Sequence, residues 1–252
     1  MKKKLLGLFA ALFGAAFFVV GAFPSRPVKA WAHPREKLVA YTTYFNQKDG
    51  GRCENIALAA ARIDGIALQP YGEFSFNVVV GERTKKNGYK EAKIISQGEF
   101  TLGVGGGVCQ VSTTLYNAAL LSGLCVTEFH PQSLAVGYVP PSRDAMVSAA
   151  SDLKLYNPFD ETVYFSVRIR ENALTVTVYG KNLGRSYSIE SKTLARVPAQ
   201  EPLFVEREEE VREGREGVKS EAYLKTYYGG VLIGIKRLRE DFYAPVRGKI
   251  IK

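Results

Sequence analysis

Histidine is almost missing from this sequence: 252 residues hold two, His33 and His130. Cysteine is scarce too, with Cys53, Cys109 and Cys125 only, and no Cys-x-x-Cys pair or Cys/His ligand spacing occurs. A zinc site needs four such ligands at short spacings, so no metal site is expected, and no cofactor motif replaces it. A clustered basic stripe is likewise absent. The net charge is +9, but five basic residues and no acidic ones fall within residues 1–30, leaving a mild +4 for the remainder. Nucleic-acid binding calls for a concentrated basic face, and none is present. The hydrophobic fraction of 46% excludes wholesale disorder.

The N-terminus is rich where the rest is poor. Lys2, Lys3 and Lys4 precede an uncharged apolar run from Leu5 to Phe23, followed by the small-x-small pattern Val28-Lys29-Ala30. This is the layout of a secretory signal peptide. The run also approaches the roughly 20 apolar residues that span a bilayer as a helix, so residues 1–30 serve either as a cleaved signal or as an N-terminal membrane anchor through residues 5–23. In both cases the basic end stays in the cytoplasm and the rest faces outward, which predicts an extracytoplasmic protein, secreted or anchored to the outer face of the cytoplasmic membrane. An odd cysteine count leaves at least one free thiol in that setting; a Cys53–Cys125 bridge or three reduced thiols both satisfy it.

Beyond a linker at residues 31–38, Val39–Phe45 is β-branched and aromatic and predicts a strand. Asn55–Asp64 predicts a short helix with Asn55 as N-cap and Gly65 as stop. Residues 66–102 read as turns alternating with short strands, one of them at Gly72–Asn77. Gly103–Gly107 is a glycine-rich turn running into a helix that ends at Gly123. Cys125–Phe129, Ser133–Val139 and Asp152–Tyr156 predict strands, and Thr162–Arg170 with Ala173–Gly180 predicts a hairpin whose apolar residues alternate. Past Lys181 the composition shifts: Tyr187–Leu194 predicts a strand, and Pro198 and Pro202 mark a linker. The tail carries two strands around Gly229-Gly230. The predicted class is α+β, mostly antiparallel strands packed on one or two helices, plus a small all-β tail.

Gly103–Leu121 is the segment where chemistry is expected. Cys109 falls in the first turn of the helix, where aligned peptide dipoles and unpaired N–H groups favour a thiolate. Gly105, Gly106 and Gly107 permit close backbone approach to a ligand, and Gln110, Ser112 and Thr113 add polar groups; these six are the candidate ligand-binding residues. Acyl transfer or amide hydrolysis at Cys109 requires a base and an orienting group, for which His130 and Asp152 are the candidates, in a cysteine-protease-like or transglutaminase-like layout. The plainer reading is a buried cysteine behind a tight turn.

The series Arg52…Asn55-Ile56-Ala57-Leu58, Gly72-Glu73-Phe74-Ser75-Phe76-Asn77, Gly81-Glu82-Arg83-Thr84, Gly88-Tyr89-Lys90-Glu91-Ala92, Gly103–Ala118 and Gly137-Tyr138-Val139-Pro140-Pro141…Asp144 resembles the VanW family. The resemblance divides the chain into residues 1–30, a VanW-like domain at 31–190 and, at 203–252, a tail similar to a G5 module, an all-β repeat proposed to bind wall glycans. It implies an envelope protein whose partner is peptidoglycan or another cell-wall polymer, bound or acted on, with a structural wall-attachment role as a further reading. The family carries Glu-Arg-x-x-His-Ser after the cysteine helix. Here the stretch is Glu128-Phe129-His130-Pro131-Gln132-Ser133, which puts Gln132 at the histidine position. His130 substitutes for it only if its ring faces the same pocket.

Overall fold

The computed structural model describes residues 36–96, 98–208 and 211–252. The apolar run at 5–23 and the small-x-small pattern lie outside the described residues. No helix among the described residues is long and apolar enough to cross a membrane.

The predicted hairpin forms as β8 (Val163–Arg170) and β9 (Ala173–Gly180), with Glu171 at the turn in left-handed conformation. Phe165, Leu174, Val176 and Val178 are fully buried, so the alternation read from the sequence is the face that meets the core. Two flanking strands complete this sheet: β1 (Glu36–Tyr44) pairs with β9, and β2 (Ala67–Leu68) pairs with β8.

Helix α1 (Gly50–Ile63) starts before the position predicted for it, because Asp49 caps it by accepting the Arg52 N–H at 3.2 Å. Asn55 is therefore inside the helix and buried, not its cap. Its side chain accepts the Lys90 N–H at 2.7 Å and donates to the carbonyls of Lys90 and Gly106 at 3.0 and 2.9 Å. The Gly72–Asn77 segment divides in two. Ser75 ends strand β3 (Glu73–Ser75) and caps α2 (Phe76–Val80) by accepting the Val78 N–H at 3.1 Å. A hairpin follows, β4 (Glu91–Ser96) with β5 (Glu99–Val104).

Helix α3 (Val108–Ser122) is the centre of the molecule and is buried on every side. Such a helix must satisfy its polar side chains internally. Thr114 bonds to Thr43 of β1 at 2.8 Å, and the Asn117 amide donates to the Arg143 carbonyl at 2.7 Å while its oxygen accepts from the Arg143 guanidinium at 2.8 Å. Beyond Gly123, β6 (Cys125–Glu128) and β7 (Lys154–Tyr156) join β3 in a three-stranded sheet ordered β3-β7-β6. The strand expected at Ser133–Val139 is irregular instead. The Asp144 carboxylate accepts the Gln132 N–H at 2.7 Å, and Met146 donates to the His130 carbonyl at 2.8 Å. The segment forms a loop that pairs with no strand among the described residues, and its Ser133 carbonyl accepts the Ala244 N–H at 3.3 Å.

The C-terminal part is all β: β10 (Arg185–Val197), β11 (Leu203–Val205), β12 (Gly217–Tyr228), β13 (Val231–Tyr243) and β14 (Lys249–Ile251). The long strands form a sheet ordered β10-β12-β13, and β11 pairs in parallel with β14. The fold is α+β with predominantly antiparallel pairing. The strands expected as an appended tail are tied to the body through buried groups. Tyr243 donates its hydroxyl to Asp144 and accepts the Ser142 N–H, Ser220 bonds to Ser142 at 2.8 Å, and Arg239 pairs with Asp144 and Asp241.

Candidate functional site

Where the body meets the β4–β5 hairpin lies a cavity of about 860 Å³. Its floor is the glycine turn and first turn of α3, Gly105 to Gln110; its walls come from α1, the Gly81–Thr84 turn, the hairpin and the 132–149 loop. The glycines are there for steric reasons. A Cβ on Gly106 would stand 2.7 Å from the Lys93 carbonyl oxygen, and Gly107, at φ +105, would press one against Arg52. Gly107 is the N-cap of α3 and makes no side-chain capping bond; the glycine turn itself takes up the Val108 N–H on the Gly105 carbonyl at 3.2 Å and the Gln110 N–H on the Gly107 carbonyl at 2.9 Å.

Cys109 sits on this floor. Its thiol donates to the Val147 carbonyl at 3.4 Å. Burial pushes the thiol above its ordinary pKa, opposed by the adjacent Gln132 amide and by the positive charges of Arg83 and Arg52. The Tyr138 phenol also faces the site and is raised by burial and by the neighbouring thiol. All three cysteines are free thiols.

The residues proposed to assist Cys109 are elsewhere. His130 pairs with Glu128 at 3.0 Å on a half-exposed surface, where Glu128 also holds Lys154 at 2.7 Å and accepts the Asp152 N–H at 3.2 Å. The Asp152 carboxylate is occupied by the Ser75 hydroxyl at 2.5 Å and the N–H groups of Asn77 and Leu153 at 2.9 and 2.8 Å. It closes the β3–α2 corner and does not orient a histidine. The side chain that stands at the thiol is Gln132.

Of the six ligand-binding candidates, Gly105, Gly106, Gly107 and Gln110 line the cavity. Gln110 is buried and fully engaged: it accepts from Arg52 at 2.8 Å and donates to the Tyr44 carbonyl at 2.9 Å and Thr43 at 3.1 Å. Ser112 and Thr113 lie behind the floor. Ser112 donates to the Ala145 carbonyl at 2.6 Å and Thr113 accepts the Ala145 N–H at 2.9 Å, which fixes the loop carrying Val147.

Sequence reasoning missed the cavity's charge. Arg52 and Arg83 are half-buried in its wall, and Lys93 and Arg215 each stand over the Phe100 ring at its rim, with Asp49 and Glu82 also in the lining. Arg52 and Arg83 sit inside the motif series, so their place in it was the available signal. Arg215 comes from the tail, far outside it. Among the described residues no cluster of three or more His, Cys, Asp or Glu side chains is placed to hold a metal ion.

This arrangement is built almost wholly from one stretch, and a family model described as "VanW like protein" matches residues 51–179. The chain belongs to the VanW family. Among relatives, the uncharacterized protein YoaR of Bacillus subtilis is 37% identical over 175 residues, covering 69% of this chain and 57% of that protein. Vancomycin B-type resistance protein VanW of Enterococcus faecalis is 31% identical over 135 residues, covering 50% of this chain and 48% of that protein. The chain thus spans about half the length of the curated relatives it matches. No solved structure matches it. The matched stretch of this VanW-family chain supplies the Cys109 floor and most of the wall, and Arg215 adds a cation from beyond it.

Proposed function

We propose that this VanW-family chain is an exported envelope protein whose cavity binds the acidic peptide of cell-wall peptidoglycan, with the Cys109 thiol against the bound peptide. One observation carries the reading: Arg52, Arg83, Lys93 and Arg215 converge on a cavity large enough for several residues of peptide, with Ile94, Ile95, Phe100 and Val104 offering apolar contact. Wall stem peptides carry free carboxylates next to small apolar side chains. Arginine at a partly desolvated site recognises a carboxylate through charge-assisted, paired hydrogen bonds. The signal-like N-terminus supplies the route to such a partner.

The test is calorimetric titration with a soluble muropeptide as free acid and as its C-terminal amide. The free acid binds at least tenfold more tightly, and Arg83→Gln removes most of that preference. Equal affinity for the two forms rejects the reading.

A second reading is favoured by the position of the thiol. A cysteine at a helix start, facing a cavity beside two arginines, is placed for acyl transfer, although burial raises its thiol and the Val108 and Gln110 N–H groups are bonded within the glycine turn. It fits a cysteine-protease-like or transglutaminase-like use of the site. Gln132 weakens this reading, because a carboxamide takes up no proton at neutral pH. Intact mass spectrometry after incubation with a muropeptide decides it: an acyl adduct that disappears in Cys109→Ser supports catalysis, and its absence leaves binding.

A further inference from the structure

The β12–β13 hairpin ends in an apolar cluster that no other part of the described chain covers. Tyr228, Val231, Leu232, Ile233 and Ile235 are each between 46% and 67% exposed around the Gly229-Gly230 turn. No acidic residue occurs between Glu221 and Glu240, nor on the adjoining segment between Glu171 and Glu190, and Arg185 and Lys236 flank the tip. Lys225 and Arg237, on the same strands, pair with Glu190 and with Glu221 and Glu240. Arg185 is opposite Tyr228 in the sheet. Tyrosine beside exposed aliphatic residues and flanking cations is the composition of a surface that enters the headgroup region of a bilayer.

The position of the tip supplies the second argument. β1 begins at Glu36, paired with Gly180, and Gly184, four residues on, accepts the Gly229 N–H at 3.4 Å. Gly184 is therefore within about 14 Å of Gly180, and the Gly229 turn within about 25 Å of the start of β1, given the reach of four residues and the spacing of paired strands. That start is where the chain arrives from the apolar run at 5–23. At the other end of β1, Tyr44 accepts from Gln110 on the cavity floor. Eight strand steps place the floor about 26 Å further along.

We propose that the end of the β12–β13 hairpin docks on an anionic lipid bilayer, beside the entry point of the N-terminal segment, and so points the Cys109 cavity away from the membrane. The proposal uses the export reading only for its setting; the contact itself needs nothing from the cavity's ligand. A second copy pairing along the open edge of β13 is the competing occupant.

The full chain, mixed with phosphatidylglycerol vesicles, is the material for the test. Photoreactive p-benzoylphenylalanine is placed singly at Val231, Ile233, Leu12, Val78 or Leu102. Val78 and Leu102 are apolar and more exposed than the tip residues, and they adjoin the cavity-lining Asn77 in sequence and Lys93 across the β4–β5 hairpin. The expected result is lipid adducts at Val231 and Ile233 several-fold above those at Val78 and Leu102, falling several-fold in phosphatidylcholine vesicles. Adducts at Leu12 with only background at Val231 and Ile233 overturn the hairpin contact while leaving the export reading standing. Background at all five positions overturns it as well. Crosslinks from Val231 or Ile233 to a second copy assign the edge to self-association and overturn it, and equal adducts in phosphatidylcholine overturn its anionic character.

Discussion

Asn55 makes three hydrogen bonds from inside a helix, to both backbone groups of Lys90 and to the Gly106 carbonyl. One side chain thus joins α1, the start of β4 and the glycine turn under Cys109. Asn55→Leu leaves the Lys90 N–H and the Gly106 carbonyl without this partner, while the Lys90 carbonyl keeps the Gly105 N–H. At about 1–3 kcal/mol per group, urea unfolding should show a loss of about 2 kcal/mol or more. Sequence alone predicts Asn55 as a helix cap, since asparagine is favoured at that position. Nothing local distinguishes a cap from an interior clamp; the partner lies 35 residues away. Glu128 offers a test in pH. Lys154, His130 and the Asp152 N–H hold its carboxyl down to about 2, below the ordinary 4.5. A depressed carboxylate contributes stability in full above the unfolded value and loses it as pH falls toward the folded one. The melting temperature of the native chain should therefore exceed that of Glu128→Gln at pH 6, with the gap closing between pH 4.5 and about 2.

At the level of elements, α3 and the β8–β9 hairpin were readable from the sequence, because a glycine-bounded apolar helix and an alternating strand pair declare themselves locally. The loop from His130 to Met146 was not. Its β-branched and aromatic residues resemble a strand, but its shape is set by Asp144 reaching back to the Gln132 N–H. The cavity is a product of packing between such elements, which explains why its cations went unread. Gly107 is the most exposed to test. Alanine there takes on a left-handed backbone and a contact with Arg52 at 2.9 Å, so Gly107→Ala should cost about 2 kcal/mol in chemical denaturation. The β4–β5 hairpin is held from the tail by the Arg212–Glu99 pair at 2.8 Å and by Arg215 over Phe100. Arg215→Ala should weaken muropeptide binding several-fold in titration while leaving the melting temperature within a degree or two, because an exposed stacking cation contributes little to folding.

Across the whole molecule, the family match ends near residue 179 but the structure does not divide there. Arg239, almost completely buried, pairs with Asp144 and Asp241, and the Tyr243 hydroxyl completes the same cluster. Removing the cation leaves buried carboxylates uncompensated. Arg239→Met should destabilise the chain by about 3–5 kcal/mol, and calorimetry of the native chain should show one transition shared by body and tail. Pro198 and Pro202, from which sequence alone predicts an appended tail, describe the surface of the connection. The joint itself is made of single residues spread over both parts, and no local pattern reveals it.

Asp144 also has a temporal consequence. It holds Gln132, and through it the wall at Cys109, while being held by residues 239 and 243. A ribosome delivers the floor of the cavity more than a hundred residues before the side chains that brace its wall. The nascent chain therefore carries the thiol without its finished surroundings. The cavity wall is complete only when the last long strand has been made and packed.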